Sequence, residues 1–120
     1  MAYFFALVIA IGSWLHIPGG EWCPTDAQIA ELEVLLERHV REQAAARQEE
    51  LAPWARYTFQ FQGRLLDGEE VVFVNALCSD PPEHANDEFV QVFDGGACYF
   101  RAYWNPETKQ FSRFLFNGHA

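Results

Sequence analysis

The chain has 120 residues, with 17 acidic and 8 basic side chains and a formal net charge of −9. This length predicts one domain. A chain this acidic is repelled by phosphate backbones and by anionic lipid headgroups, which excludes a nucleic-acid function. The acidity is typical of a solubilising surface, and it also fits a basic protein partner.

The first twenty residues contain no Asp, Glu, Lys or Arg. The apolar run over residues 3–15 is shorter than the roughly 20 residues of a spanning helix and closer to the hydrophobic region of a signal peptide. No basic residue precedes the run, and no A-x-A cleavage site stands out. We predict residues 1–20 to be a signal peptide or membrane anchor and residues 21–120 to be a single α+β domain, periplasmic or secreted. The alternative is a buried apolar strand or helix of a cytosolic fold.

A long helix is predicted to begin after Thr25 and to end near Leu51, before Pro53. Thr25 and Gln28 have the spacing of a capping box, in which each side chain bonds the other's backbone N–H. An apolar stripe follows at spacings of three and four, which is the period of an α-helix. The stripe consists of Ile29, Leu32, Leu36, Val40 and His39. Glu37 and Arg41 fall on the opposite side in the favourable order for an ion pair.

Antiparallel strands are predicted after Pro53. Aromatic residues alternate with polar residues over residues 57–62, as in a half-buried strand. Asp67-Gly68 is a hairpin turn signal, because both central positions of such a turn need positive φ. Residues 71–74 are apolar throughout, which predicts a central strand covered on both faces. The predicted strands after the first cover residues 70–78, 88–93, 97–104 and 110–116, with a polar loop at 79–87.

This element order predicts an α+β fold, with one long N-terminal helix packed on a four- to five-stranded antiparallel sheet. It resembles the cystatin-like and NTF2-like folds. The chain also resembles small uncharacterised exported bacterial proteins that share Asn75-Ala76-x-Cys78, then Asp94-Gly95-Gly96 and a closing Asn117-Gly118. That resemblance covers residues 57–120. It implies a fold and no activity.

Three cysteines leave the disulfide pairing open. Cys78 ends one predicted strand and Cys98 begins another, so a Cys78–Cys98 bridge is the first choice for an exported protein. A strict up-and-down meander would instead place these two residues at opposite edges of the sheet and favour Cys23–Cys98. The cysteine spacing lacks a C-x-x-C zinc pattern.

Candidate chemistry is sparse. The sequence has no H-E-x-x-H, no G-x-S-x-G and no Gly-rich phosphate loop. The cluster Glu83, His84, Asp87 and Glu88 offers oxygen and imidazole ligands, but it has no calcium-loop spacing and is interpreted as a solvated loop. His39 is predicted to pack on the sheet. We predict no enzyme activity, no cofactor and no metal.

Tyr99, Arg101 and Tyr103 alternate with Phe100, Ala102 and Trp104 on the predicted strand 97–104. If the first set faces outward, it has the composition of a protein-interface hot spot. Ordinary cross-strand pairing is the simpler interpretation of the same residues.

The leading functional hypothesis is a non-enzymatic envelope protein that binds another protein through its sheet face or loops, as an inhibitor or immunity-type partner. It touches the membrane only through the N-terminal segment. The alternative is a small-molecule carrier or enzyme of NTF2-like type, with a pocket between helix and sheet near His39 or Glu33. A third hypothesis is a purely structural envelope component.

Overall fold

The computed structural model describes residues 13–119, and most of the predicted leader, residues 1–12, lies outside this part. The described chain forms one long helix and five strands. Their bounds are β1 Ser13–His16, α1 Asp26–Arg47, β2 Thr58–Leu66, β3 Glu69–Leu77, β4 Tyr99–Asn105 and β5 Gln110–Phe116. The fold is therefore α+β, and its helix followed by a mostly antiparallel sheet is compatible with the element order of cystatin-like folds.

Helix α1 begins as predicted and ends earlier than predicted. Thr25 is the N-cap, and its side chain forms the reciprocal capping box with Gln28. The last helical residue is Arg47, and Gln48 closes the helix in a left-handed conformation (φ 57°). The helix ends before Leu51 because the cap N–H of Gln48 bonds the carbonyls of Ala44 and Ala45. A left-handed residue at this position satisfies carbonyls that would otherwise lack donors.

The five strands lie in chain order across the sheet, β1-β2-β3-β4-β5. Strands β2 to β5 are antiparallel neighbours, whereas β1 pairs with β2 in parallel. The sheet is therefore mostly antiparallel, as predicted, with one parallel pair at the β1 edge that the sequence did not indicate. Within the residues predicted as leader, 13–16 form this edge strand and Ile17 is buried at 3% exposure.

One buried layer fills the space between helix and sheet, as the two periodicities predicted. Leu32, Leu36 and Val40 of α1 are fully buried against rings from the inner face of the sheet. Those rings belong to Phe59, Phe100 and Trp104, which are each at most 1% exposed. Trp54, in the short 3₁₀ turn before β2, packs against the same cluster and is partly exposed. Large rings bury much apolar area per residue, so a thin layer suffices to stabilise a domain of this size.

One hairpin turn and one close crossing of two segments each require a glycine. Asp67 and Gly68 both have positive φ, 53° and 82°, which confirms the predicted hairpin between β2 and β3. Gly63 faces the main chain of Trp22, which forms an isolated bridge to it. A Cβ at position 63 would collide with the Trp22 carbonyl. The glycine therefore permits the segment before α1 to cross β2 closely.

The segment predicted as a strand over residues 88–93 is not part of the sheet. Strand β3 instead pairs directly with β4. Residues 88–94, which we call the strap, cross the face of the sheet opposite the helix, the outer face. The prediction was wrong because the backbone groups of the strap bond side-chain amides rather than a neighbouring strand.

The disulfide joins Cys78 and Cys98, whose Cα atoms are 4.9 Å apart, and Cys23 is free and exposed. A Cys23–Cys98 bond was the alternative for a sheet with a third strand between these two elements, and the strap is not such a strand. Since β3 and β4 are neighbours, the end of one and the start of the next meet at the same end of the sheet, and the Cys78 N–H bonds the Cys98 carbonyl.

Candidate functional site

The residues proposed from sequence as an interface lie on the outer face. Phe100, Ala102 and Trp104 point into the core, while Tyr99 and Tyr103 are half-buried and Arg101 is exposed on the opposite side. Tyr103 sits opposite Phe73 on β3, with ring centroids 5.1 Å apart. Cross-strand pairing accounts for Tyr103, but Arg101 is not part of any ion pair within residues 13–119.

Gln60 anchors the strap to the outer face of β2. Its side chain is fully buried. The amide nitrogen donates to the carbonyls of Ala85 and Glu88, both at 2.8 Å. Its oxygen accepts from the Val90 N–H and from the Asn75 side chain, both at 2.9 Å. All four hydrogen-bonding positions of this amide are therefore satisfied, which is what makes its burial tolerable.

Two asparagines extend the same arrangement along the strap. Asn75 on β3 donates to the Val90 carbonyl at 2.9 Å. Asn117, just after β5, donates to the carbonyls of Val92 and Asp94 at 2.6 and 3.0 Å. The strap is thus bonded to the sheet at alternate residues, 88, 90, 92 and 94. The main-chain groups of the intervening residues 91 and 93 form no hydrogen bond within residues 13–119.

A group of rings surrounds the guanidinium of Arg64 at one end of the outer face. The Arg64 Cζ lies 4.1 Å from the ring centroid of Phe73 and 5.2 Å from that of Phe89. Its Nε donates to the Gln62 side chain at 3.0 Å. Cation–π contacts of this kind hold a positive charge in place without neutralising it.

A groove of about 550 Å³ lies between the strap and the outer faces of β3, β4 and β5. We call it the outer groove. Its apolar lining includes Phe89, Phe93 and Leu115, and its polar lining includes Asn75 and Gln91. Phe93 is 89% exposed and Leu115 is 46% exposed. Apolar side chains this exposed in a groove are typical of a binding surface.

The charge of the outer groove is opposite to that of the whole chain. Arg64 and Arg101 are its only charged lining residues, although the chain carries a net charge of −9. Neither guanidinium forms an ion pair with a carboxylate in the described part of the chain. The groove therefore combines apolar surface with two cations that are free to meet an anion.

The space between helix and sheet, where the alternative hypothesis placed a pocket, is filled. His39 packs on the sheet as predicted, with its ring stacked on Phe111 at 4.4 Å and edge-on to Phe114 at 5.4 Å. Burial lowers the pKa of His39, with Arg47 acting in the same direction and Glu42 against it. Burial raises the pKa of the Glu33 carboxyl. Neither group lines the outer groove.

The acidic loop cluster stays at the surface. Residues 83–86 form a short 3₁₀ turn, and Glu83, His84, Asp87 and Glu88 are exposed. Across residues 13–119, no three His, Cys, Asp or Glu side chains are arranged to hold a metal ion. Within that range, too, no helix has both the length and the apolar character needed to cross a bilayer.

Sequence reasoning named Tyr99 and Arg101, which line the groove, but it missed the strap and the amides that hold it. Gln60 alternates with rings along β2, and this pattern reads as a solvent-facing position. Nothing in the sequence separates a polar residue facing water from one facing a covering segment. The amides Gln60 and Asn75 bond each other and the main chain of the strap. This role becomes visible only once the strap is known to lie over them.

No protein-family model, no curated protein and no solved structure matches this chain. The Cys78–Cys98 disulfide is a bond characteristic of oxidising, extracytoplasmic compartments. Because no relative indicates a site, the outer groove is the candidate functional site on the basis of its geometry.

Proposed function

We propose that this chain is a non-enzymatic envelope protein that binds another protein through the outer face of its sheet, as an inhibitor or immunity-type partner does. The observation that supports this most is the outer groove, in which exposed apolar side chains lie beside two arginines without ion pairs. Aromatic residues and arginine are enriched at protein interfaces, where they contribute most of the binding energy.

Location supports the same proposal. The Cys78–Cys98 disulfide fits an oxidising compartment. We therefore place the protein in the periplasm or outside the cell, with the apolar N-terminal segment directing export or anchoring it. The filled layer between helix and sheet gives no support to the alternative of a ligand pocket near His39 or Glu33.

Site-specific photocrosslinking tests the proposed function. A benzophenone side chain at Leu115, in the groove, should capture a single envelope protein of defined mass. The same group at Val34, which is 66% exposed on helix α1, is the matched control and should not capture that protein. If Leu115 and Val34 give the same products, or Leu115 gives none, the proposal is wrong.

A further inference from the structure

We infer that the outer groove takes an extended, acidic-apolar peptide segment of the partner: a chain with a carboxylate side chain next to large apolar side chains. The inference rests on the proposed function and specifies which chemistry the partner presents. It differs from the basic partner that the net charge of the chain also fits.

The carboxylate follows from the charges in the groove. Arg101 is exposed and Arg64 is held between rings, and no acidic side chain lines the groove with them. The chain as a whole is strongly acidic. An anion is therefore repelled less at the groove than elsewhere on the surface. Arginine at a partly desolvated site pairs with carboxylates through two parallel hydrogen bonds.

The apolar side chains of the partner are inferred from two exposed apolar residues of the groove. Phe93 stands almost entirely in water at the end of the strap, and Leu115 faces the groove from β5. These are two of the four large apolar residues exposed in the described chain. A partner that brings apolar side chains to this place removes both from water.

The extended conformation follows from the backbone of the strap. The strap bonds the sheet through residues 88, 90, 92 and 94. The main-chain groups of Gln91 and Phe93 have no hydrogen-bond partner in residues 13–119. An extended peptide satisfies such groups by pairing along the strap as an added strand, with its alternate side chains directed to the groove.

The experiment uses the full chain with its disulfide intact as bait for a phage-displayed library of random peptides. The selected peptides should carry Asp or Glu within two or three positions of an aromatic or large aliphatic residue. The best peptide is then synthesised, and its affinity is measured by fluorescence polarisation. Selection of peptides without an acidic residue would contradict the inference.

Charge reversal in the groove gives the quantitative test. Arg101→Glu should weaken binding of the synthetic peptide at least about tenfold, and changing the acidic residue of the peptide to Lys should restore binding to this variant. Arg38→Glu, the same change at an exposed position on helix α1, is the matched control and should change the affinity less than about twofold. Equal losses in both variants would show that only overall charge matters and would overturn the assignment.

The extended conformation is tested on the peptide itself. N-methylation at successive peptide bonds should abolish binding at every second position, because only alternate N–H groups face the strap. A flat response would reject strand pairing. If N-acetyl-phenylalanine competes as strongly as the whole peptide, the groove binds a small molecule and the inference is wrong.

The two proposals fail separately. A partner crosslinked at Leu115 that still binds Arg101→Glu normally would overturn the inference and leave the proposed function intact. Acidic-apolar peptides selected in the absence of any crosslinked envelope protein would overturn the proposed function and leave the chemistry of the groove standing.

Discussion

The partly buried carboxyl of Glu33 lowers the stability of the folded protein at neutral pH. One of its carboxyl oxygens is buried and lacks a hydrogen-bond partner within residues 13–119. Burial raises the pKa of this carboxyl in the folded state. A raised folded-state pKa contributes stability below the unfolded pKa, about 4.3 for glutamate, and that contribution is lost as the pH rises through the folded value. At pH 7 the charged form is therefore a net cost.

Glu33→Gln should raise the free energy of unfolding at pH 7, by less than about 1 kcal/mol because the group keeps part of its hydration. Urea denaturation at pH 7 and at pH 3.5 measures the effect. The gain should shrink at pH 3.5, where the wild-type carboxyl is protonated in both states. Glu50→Gln, at an exposed position after the helix, is the control. An equal gain at both pH values would exclude the ionisation of Glu33 as the cause.

His39 gives the opposite dependence on pH. Its pKa is lowered by burial against Phe111 and Phe114. A lowered folded-state pKa contributes stability above the unfolded pKa, about 6.5, and this stability is lost as the pH falls through the folded value. The free energy of unfolding should fall between pH 7 and pH 5 in the wild-type protein. In His39→Leu this fall should be smaller, by less than about 1 kcal/mol. His84→Gln, on the exposed 3₁₀ turn, should leave the slope as it is.

At the scale of elements, the strap is held by amide side chains rather than by strand pairing. Gln60→Ala should lower the free energy of unfolding by about 2–3 kcal/mol, because it leaves the buried carbonyl of Ala85 and the part-buried main-chain groups of Glu88 and Val90 without partners. Native-state hydrogen exchange should show the Val90 amide losing its protection while amides in β3 keep theirs. Gln110→Ala, at an exposed position, should change stability by no more than about 0.5 kcal/mol. Retained protection at Val90 would refute the anchoring role of Gln60.

The disulfide closes the loop that contains the strap. Cys78 and Cys98 are 20 residues apart in sequence, and closing a loop of that length stabilises a domain by about 3 kcal/mol. The double variant Cys78→Ala/Cys98→Ala should lose about this amount in denaturant unfolding, and it should stop responding to a reductant. Cys23→Ala is the control, since Cys23 is free and exposed, and it should keep the response. A wild-type protein indifferent to the reductant would contradict the prediction.

The elements differ in how well the sequence predicts them, for physical reasons. Helix α1 and its stripe were predictable because helix period and capping depend on neighbours within four residues. The β2–β3 hairpin was predictable because Asp67-Gly68 fixes its own turn. The strap was not, because a short run of apolar residues, at 89, 90, 92 and 93, suits a strand and a covering segment equally. The contacts that fix the strap come from Gln60, Asn75 and Asn117, which are distant in sequence. The cysteine pairing and the groove both depend on the position of the strap, so they were no easier to predict.

For the whole molecule, β1 completes one edge of the sheet. Trp14 stacks on Phe59 with ring centroids 4.7 Å apart, and Ile17 is buried. A chain that begins at Glu21 lacks both contacts and leaves the edge of β2 without a partner. We expect it to be less stable than a chain that begins at Ser13 by about 3 kcal/mol or more. Thermal unfolding of the two chains measures the difference, and equal midpoints would show that β1 contributes nothing.

The parallel pairing of β1 with β2 also sets the order of events during synthesis. Ser13 leaves the ribosome early, but its partner Thr58 follows only after the whole of α1. Until then the first strand is an apolar stretch with nothing to pair with, and long-range pairing of this kind is slow. We therefore expect β1 to join the sheet only after β2 has been synthesised.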